Sequence, residues 1–209
     1  MPAPALPDLI LASASPRRRE LLERVGLRLE VIPGAIDETP LPDEKPDAYA
    51  RRVSGAKCDA VADGLPAERR QAVAVLGADT TVIVDGAILG KPADAADARA
   101  MLGRLAGRRH EVVTAYALRL GERRLERAVT TTVAIRALQP NEIDAYIDAG
   151  EWRDKAGGYA VQGIAAAFVT ELRGSLTNVI GLPLAEVLAD LQALGALPGY
   201  PPRGFGAGA

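Results

Sequence analysis

The run Leu9-Ile-Leu-Ala-Ser-Ala-Ser-Pro-Arg-Arg-Arg-Glu-Leu-Leu22 is the stretch around which the rest of the chain is read. Its apolar opening, Leu9 to Ala12, reads as a short buried strand. Ser15-Pro16 then supplies an N-cap and a first-turn proline for a helix that Gly26 ends. The chain therefore runs strand, tight turn, helix. The charge does not suit a purely structural reading, because Arg17, Arg18 and Arg19 fill a first helical turn where the helix dipole already presents positive charge. An anion there would resolve the conflict. Free backbone N–H groups, serine hydroxyls and guanidinium forks are the parts that hold phosphate. Successive helical residues point about 100° apart, so the arginines cannot all reach one ligand and some are ordinary surface charge. The competing reading is a solvated basic helix end; the serines and the unfavourable dipole favour the anion site.

Composition bounds what surrounds this motif. With 209 residues, 48% hydrophobic and 25% charged, the chain can bury one substantial core. It reads as a single bilobal domain over 9–197, with an N-terminal extension over 1–8 and a Gly/Pro-rich tail, 198–209, expected to be disordered. A net charge of -2 with 4% aromatic residues argues against a nucleic-acid binder. A single cysteine, Cys58, excludes an internal disulfide and a zinc pattern, and no apolar run suits a membrane. The expected compartment is the cytoplasm.

Outward from the first motif, Leu29 to Ile32 reads as a second strand, followed by a loop bearing Asp37 and Glu38. Such acids suit magnesium, which takes one or two carboxylates plus substrate phosphates; alone, the pair reads as a solvated loop or a cap. A helix is expected from about Asp47 to Val61, with Tyr49, Val53, Ala56 and Ala60 on its buried stripe. Lys57 lies on that stripe. It either snorkels to the surface or points into a cleft as a phosphate ligand.

Val73 to Pro92 holds two β-branched runs around Gly77-Ala-Asp-Thr80, and Asp85-Gly86 is a two-residue hairpin turn. Asp79 is thus an acid among buried strands, a costly placement unless it is paired or bound. Pairing outward from Val84 and Ala87 brings Thr80 opposite Lys91, so lysine and aspartate are expected at one end of the hairpin, helped by a twist or bulge at Gly77 or Gly90. Gly90-Lys-Pro92 lacks the glycine spacing and following Ser or Thr of a Walker loop.

Asp94 caps a helix to about Leu105, with Ala98, Met101, Leu102 and Leu105 inward. His110 to Leu118 and Leu125 to Leu138 read as paired strands across Gly121. His110, the only histidine, reads as a structural hydrogen-bonding residue. Pro140 starts a helix closed by Gly150. Asp154 to Gly163 is a glycine-bearing loop entering a strand: either a flexible connector, or a close backbone approach to a ligand with Gln162 offered to the edge of a base. Ala166 to Leu172 reads as a strand, Gly174-Ser175 as a turn, and Pro183 to Leu194 as a closing amphipathic helix.

Taken in order, Ser13-Ala-Ser-Pro-Arg-Arg18, Asp37-Glu38, Ala56-Lys57, Gly77-Ala-Asp-Thr80, Gly90-Lys-Pro92, His110-Glu-Val-Val-Thr114, Asp154-Lys-Ala-Gly157, Gln162-Gly163 and Gly174-Ser175…Gly181-Leu-Pro183 resemble the Maf family of nucleoside triphosphate pyrophosphatases. The likeness covers nearly all of Leu9 to Leu194. Each motif is weak alone; their number and order make the match specific. Ala115 stands where glycine is frequent, and Trp152 where proline is common. Ser54-Gly55 is unusual for a helix interior.

The resemblance implies an α/β fold with an elongated, twisted mixed sheet, helices around a central cleft, and kinship to the inosine triphosphate pyrophosphatases. It implies hydrolysis between the α and β phosphates to nucleoside monophosphate and pyrophosphate, with a divalent metal, Mg2+ or Mn2+, and a homodimer. Position by position, Asp79 resembles the catalytic acid, which activates water or holds the metal that does, and Glu38 resembles its companion at the metal. Lys57 and Lys91 would neutralise phosphates, with Ser13 and Arg17 at the helix start. Arg18, Thr80 and Gln162 resemble the dTTP/UTP branch, whereas a branch favouring 7-methyl-GTP carries a Ser-Glu-Gly-like run in place of Val161-Gln-Gly163. A buried Gln162 amide could match a uracil or thymine edge, and leaving such groups unpaired costs about 1–3 kcal/mol each. The rival from another class is a nucleotide-binding regulator of septum formation without relevant turnover. Hydrolysis of a triphosphate needs oriented water and charge compensation more than covalent chemistry, which suits this set.

Overall fold

A computed structural model describes residues 6–201. Its centre is a seven-stranded mixed sheet in the order β2-β1-β3-β5-β6-β7, with β4 paired to β3 off that path. The strands are β1 (Leu9–Leu11), β2 (Leu29–Val31), β3 (Ala74–Val84), β4 (Ala87–Leu89), β5 (Arg109–Leu120), β6 (Arg123–Ile135) and β7 (Val169–Arg173). β1 runs parallel to β2 and β3, and the remaining pairs are antiparallel. The sheet is open, with helices against it, as the resemblance implies.

Helix α1 (Pro16–Arg24) begins as read: the Ser15 hydroxyl accepts from the Arg18 N–H, and Pro16 occupies the first turn. The hairpin is also as read. Val84 pairs with Ala87, and Asp85 and Gly86 have φ of 53° and 73°, the left-handed pair that a tight hairpin turn requires. The two β-branched runs around Asp79 form one strand, β3, not two. Its pairing beyond the turn stops at Val82 with Leu89, so Thr80 never faces Lys91.

That early stop shapes the molecule. β1 covers Ala74 to Leu76 and β4 covers Val82 to Val84 along the same edge of β3, while β5 lines the other edge throughout. Residues 77–81 therefore lack a strand neighbour on the first edge, and the gap is a notch in the sheet. Alternation sends Ala74, Leu76 and Ala78 into a core with Leu22, Tyr116 and Leu191, and Val82 and Val84 into a second core with Leu102, Tyr146 and Phe168. The opposite face carries Val75, packed with Cys58 and Val61. Asp79 and Thr80, adjacent in the notch, therefore point to opposite faces.

Helix α2 (Pro46–Gly64) covers the Cys58 face and is longer than expected. Its buried stripe is also rotated. Ala50, Val53, Ser54, Lys57, Cys58 and Val61 are buried, whereas Tyr49 and Ala56 are partly exposed and Ala60 is exposed. A weakly amphipathic alanine-rich helix leaves its phase open, and here the close approach at Gly77 sets it. A Cβ on Gly77 would lie 2.3 Å from the Ser54 carbonyl oxygen and 2.6 Å from the Cys58 nitrogen, so glycine lets the α2 backbone lie this close to the sheet. Gly55 faces only the ends of the Glu126 and Arg124 side chains.

Helices α3 (Ala67–Ala72) and α6 (Leu176–Ile180) went unread. α3 buries no residue and so has no apolar period to detect. α4 (Ala95–Leu105), α5 (Pro140–Ala149) and α7 (Leu184–Ala193) follow the sequence expectation, with Gly150 closing α5 in the left-handed region. Met101 is only partly buried. β5 is longer than read, and β6 stops at Ile135, short of Leu138. The strand expected from Ala166 begins at Val169, because Ile164–Phe168 is a 3-10 segment; the loop before it thus enters a 3-10 turn and no strand. Of the expected tail, 202–209 lie outside the described residues, as do 1–5 of the N-terminal extension.

Candidate active site

The notch opens onto a cleft of about 440 Å³. Its lining contains every residue to which the resemblance assigned a role, Ser13, Arg17 and Arg18, Glu38, Lys57, Asp79 and Thr80, Lys91, and Gln162, but not Asp37, the other acid suited to magnesium. These positions span 149 places in the sequence, from 13 to 162.

On the α2 side, Lys57 sits between two carboxylates, its Nζ 3.1 Å from Asp79 Oδ1 and 3.0 Å from Glu38 Oε2. Lys57 and Asp79 are buried and Glu38 is half exposed. The rotated phase of α2 puts Lys57 there. The loop before Glu38 is pressed against the same turn, since a Cβ on Gly34 would lie 2.7 Å from the Lys57 carbonyl oxygen. Asp37 accepts from the Thr39 N–H and folds the loop, which leaves Glu38 as the acid that faces the cleft. Tyr49 donates to the Glu38 carbonyl, and its phenol is pushed up to about 12 by burial and by Asp79 and Glu38. Asp79 Oδ2 has only a long 3.5 Å contact from the Thr81 hydroxyl. That oxygen retains accepting capacity.

On the α1 side, Arg18 is buried and makes no ion pair among the described residues. Its Nε donates to the Gly181 carbonyl (2.8 Å), Nη1 to Ser13 Oγ (2.9 Å) and Nη2 to Thr80 Oγ1 (3.0 Å). Burial lowers its pKa, partly opposed by Asp79. Proton counting fixes the direction of the chain beyond it. Thr114 donates to the Asn178 carbonyl at 2.9 Å, so Thr80 is the donor in its 2.9 Å bond with Thr114. Ser13 Oγ accepts from both Arg18 and the Ser15 N–H, which leaves its own proton free to donate into the cleft. Asn178 is locked in turn by bonds from its amide to the Val112 carbonyl and Thr131 Oγ1.

The rim is looser. Lys91 does not reach Asp79; its side chain is 68% exposed and its partner is Asp154, at 3.9 Å. The expected convergence of Lys91 with Asp79 fails because β4 ends at Leu89, and Lys57 takes that place. Arg17 donates to the Asp154 carbonyl at 3.1 Å. Arg19 pairs with Glu23 on the surface and is the ordinary charge of the three. Gln162 is exposed, so the selectivity argument from a buried amide does not apply until a ligand covers it. Its turn is nonetheless braced: Glu151 accepts from the Ile164 and Ala165 N–H groups, and a Cβ on Gly163 would lie 2.0 Å from Glu151 Oε2. His110, buried beneath the turn, bonds Tyr159 at 2.7 Å and is lowered to about 4 by burial, which keeps it neutral and structural.

From sequence, Thr114, Lys155 and Gly181 are named only within family motifs and given no role, and Asn178 is not singled out. A threonine in a strand is an ordinary β-former, and Asn178 lies on a helix too short to read. Lys155, which donates to the Glu151 and Arg153 carbonyls, was visible only as part of a glycine-bearing loop.

The donors suit a divalent cation. Asp79 and Glu38 offer hard carboxylate oxygens on one side of the cleft, with Asp79 Oδ2 lightly engaged, and phosphate oxygens would complete such a shell. Among the described residues no group of three or more acidic, His or Cys side chains forms a self-sufficient metal cage.

A model of the family described as "Maf-like protein" matches residues 8–194. The chain is 49% identical over 188 residues to a protein of Cereibacter sphaeroides named dTTP/UTP pyrophosphatase, covering 90% of this chain and 95% of that one. It is 50% identical over 194 residues to a protein of Anaeromyxobacter dehalogenans of the same name, with the same coverages. A third relative of that name, from Syntrophus aciditrophicus, is 47% identical over 192 residues, covering 90% of this chain and 91% of its own length.

Proposed function

The chain belongs to the Maf family, and from that membership we propose that it hydrolyses dTTP and UTP between the α and β phosphates, giving a nucleoside monophosphate and pyrophosphate. One observation carries the reading: residues scattered from 13 to 162 line a single cleft around the Lys57–Asp79 pair. Water adds to phosphorus, the bond to the bridging oxygen breaks, and pyrophosphate leaves. Asp79 is the catalytic residue. Before a ligand binds, Lys57 holds Oδ1, and Oδ2 is the oxygen free to accept a proton from water or to hold a metal.

Glu38 and Asp79 would hold a divalent cation, Mg2+ or Mn2+, which supplies charge stabilisation at the phosphates and polarises water. Lys57, Arg17, Lys91 and the Ser13 hydroxyl bind phosphate oxygens. Arg18 and Thr80, bonded to each other, shape the specificity wall, and Gln162 reads the base from the rim once the ligand covers it. The single domain over 9–197, the homodimer and the cytoplasmic location rest on the resemblance and on one buried thiol, Cys58; among the described residues no helix is long and apolar enough to cross a membrane.

The test is pyrophosphate release from dTTP, UTP, CTP, GTP and 7-methyl-GTP with Mg2+ or Mn2+, for wild type and Gln162→Glu. The highest kcat/KM is expected for dTTP and UTP, with selectivity reduced about tenfold by the substitution. A preference for 7-methyl-GTP would overturn the substrate assignment. Tight binding without pyrophosphate release would favour a nucleotide-binding regulator.

A further inference from the structure

Lys57 holds both carboxylates that would ligate a metal, with its ammonium 3.0 Å from Glu38 and 3.1 Å from Asp79. An ammonium and a dication cannot both draw fully on the same oxygens. A divalent cation competing for Asp79 and Glu38 must displace this ammonium from both carboxylates and meets direct repulsion from it. Among the described residues the other cleft cations are engaged elsewhere: Arg17 donates to the Asp154 carbonyl and Lys155 to the Glu151 and Arg153 carbonyls. The donors of Arg18 are directed to Ser13, Thr80 and the Gly181 carbonyl, and Lys91 stands out at the rim beside Asp154.

We propose that Lys57 couples metal binding to nucleotide binding: its ammonium occupies the two cleft carboxylates until the phosphates of a triphosphate draw it away and release them to the metal. The lysine stem suits this movement. It is a flexible four-carbon chain on a helix packed closely against the sheet at Gly77, so the head group can shift without moving its base. Triphosphate oxygens offer the ammonium a denser negative partner, and the metal arrives with the nucleotide or after it. Free metal alone is a poor ligand. The coupling rests on the reading of the cleft as a metal-dependent triphosphate site, and it adds an order of events which that reading does not require.

The experiment measures Mn2+ binding by the loss of the free-ion electron paramagnetic resonance signal. It uses wild type, Lys57→Met and Lys57→Gln, each with and without a dUTP analogue carrying an imido bridge between the α and β phosphorus atoms, and the Mn2+ taken up by the analogue without protein is subtracted. Wild type alone is expected to bind Mn2+ only at millimolar concentrations and to gain at least about tenfold with the analogue. Both variants are expected to bind Mn2+ alone at least about tenfold more tightly than wild type, and to gain less from the analogue. Circular dichroism checks that they fold. Micromolar binding of Mn2+ by wild type alone overturns the proposal whether or not a variant folds, as does a folded variant that binds metal no better than wild type. Failure of the enzymatic reading shows separately, as an absence of pyrophosphate release by wild type.

Discussion

The floor of the cleft and its rim are built on different principles. On the floor, Lys57, Asp79, Arg18, Thr80 and Ser13 are buried or nearly so, and the cations among them are engaged by the protein itself. Two of these residues, Asp79 and Thr80, are neighbours on β3 and serve opposite faces because the strand alternates. At the rim, Lys91 and Asp154 are 68% and 88% exposed and meet only at 3.9 Å. Apart from the Lys57 head group, which triphosphate is proposed to draw away, the floor is therefore fixed before a ligand arrives, which suits groups that must orient a reacting atom. The rim supplies charge through solvent and gains its geometry from the ligand. Substitutions on the floor should disturb chemistry or folding, and those at the rim should disturb affinity alone.

The largest effect is expected at the centre of the floor. Asp79→Asn keeps the shape and still accepts a hydrogen bond from Lys57, while Glu38 remains as the lysine's ion-pair partner. The amide cannot take a proton or offer a full charge. Pyrophosphate release should fall by about a hundredfold or more, with a cooperative thermal transition retained. Near-normal turnover by a folded Asp79→Asn protein would remove the residue from the chemistry and make the buried pair structural.

Arg18→Lys tests the other half of the floor with a smaller expected effect. A single ammonium cannot reach Ser13, Thr80 and the Gly181 carbonyl together, so at least one buried oxygen loses its donor. A loss of about 1–3 kcal/mol in urea unfolding is expected, together with a rise in KM of about tenfold, because the wall holding Ser13 and Thr80 loosens. Unchanged stability with reduced activity would mean that Arg18 acts only on ligand and that the wall is not pre-fixed.

The floor was more legible than its geometry. Asp79 announced itself because a carboxylate between β-branched runs has no cheap structural explanation, and the helix start at Ser15-Pro16 follows from local capping chemistry. The phase of α2 was not readable, since an alanine-rich helix gives a weak stripe and the contact that chooses its face, at Gly77, lies across space. The misphased stripe leaves Lys57 between surface and cleft, and only the family resemblance gives it to the phosphates. The hairpin register was right at the turn and misleading beyond it, because nothing in the sequence says that β4 ends after Leu89. Gln162 was assigned a buried amide from its loop chemistry, yet exposure there depends on how Glu151 and Tyr159 hold the turn, a tertiary property. Thr114, named only as the end of a motif, and Asn178 acquire roles only through the hydrogen-bond chain from Arg18.

The smallest effect is expected at Lys91. Its pair with Asp154 is exposed, and pairs of that kind contribute about 0–1 kcal/mol, so Lys91→Ala should leave thermal unfolding unchanged. If Lys91 neutralises phosphate from the rim, KM for dTTP should rise several-fold with kcat nearly preserved. An exposed ammonium acts through water and is screened by salt, whose Debye length shrinks from about 10 Å at 0.1 M to about 3 Å at 1 M. The wild-type KM should therefore rise with added KCl, and the variant's should rise less, so that the two converge. A buried floor cation would not behave this way, because its interactions are poorly screened. If Lys91→Ala instead lowered kcat about a hundredfold with a salt-independent ratio, the lysine would have moved inward onto the reacting phosphates, and the rim at that point would belong to the floor.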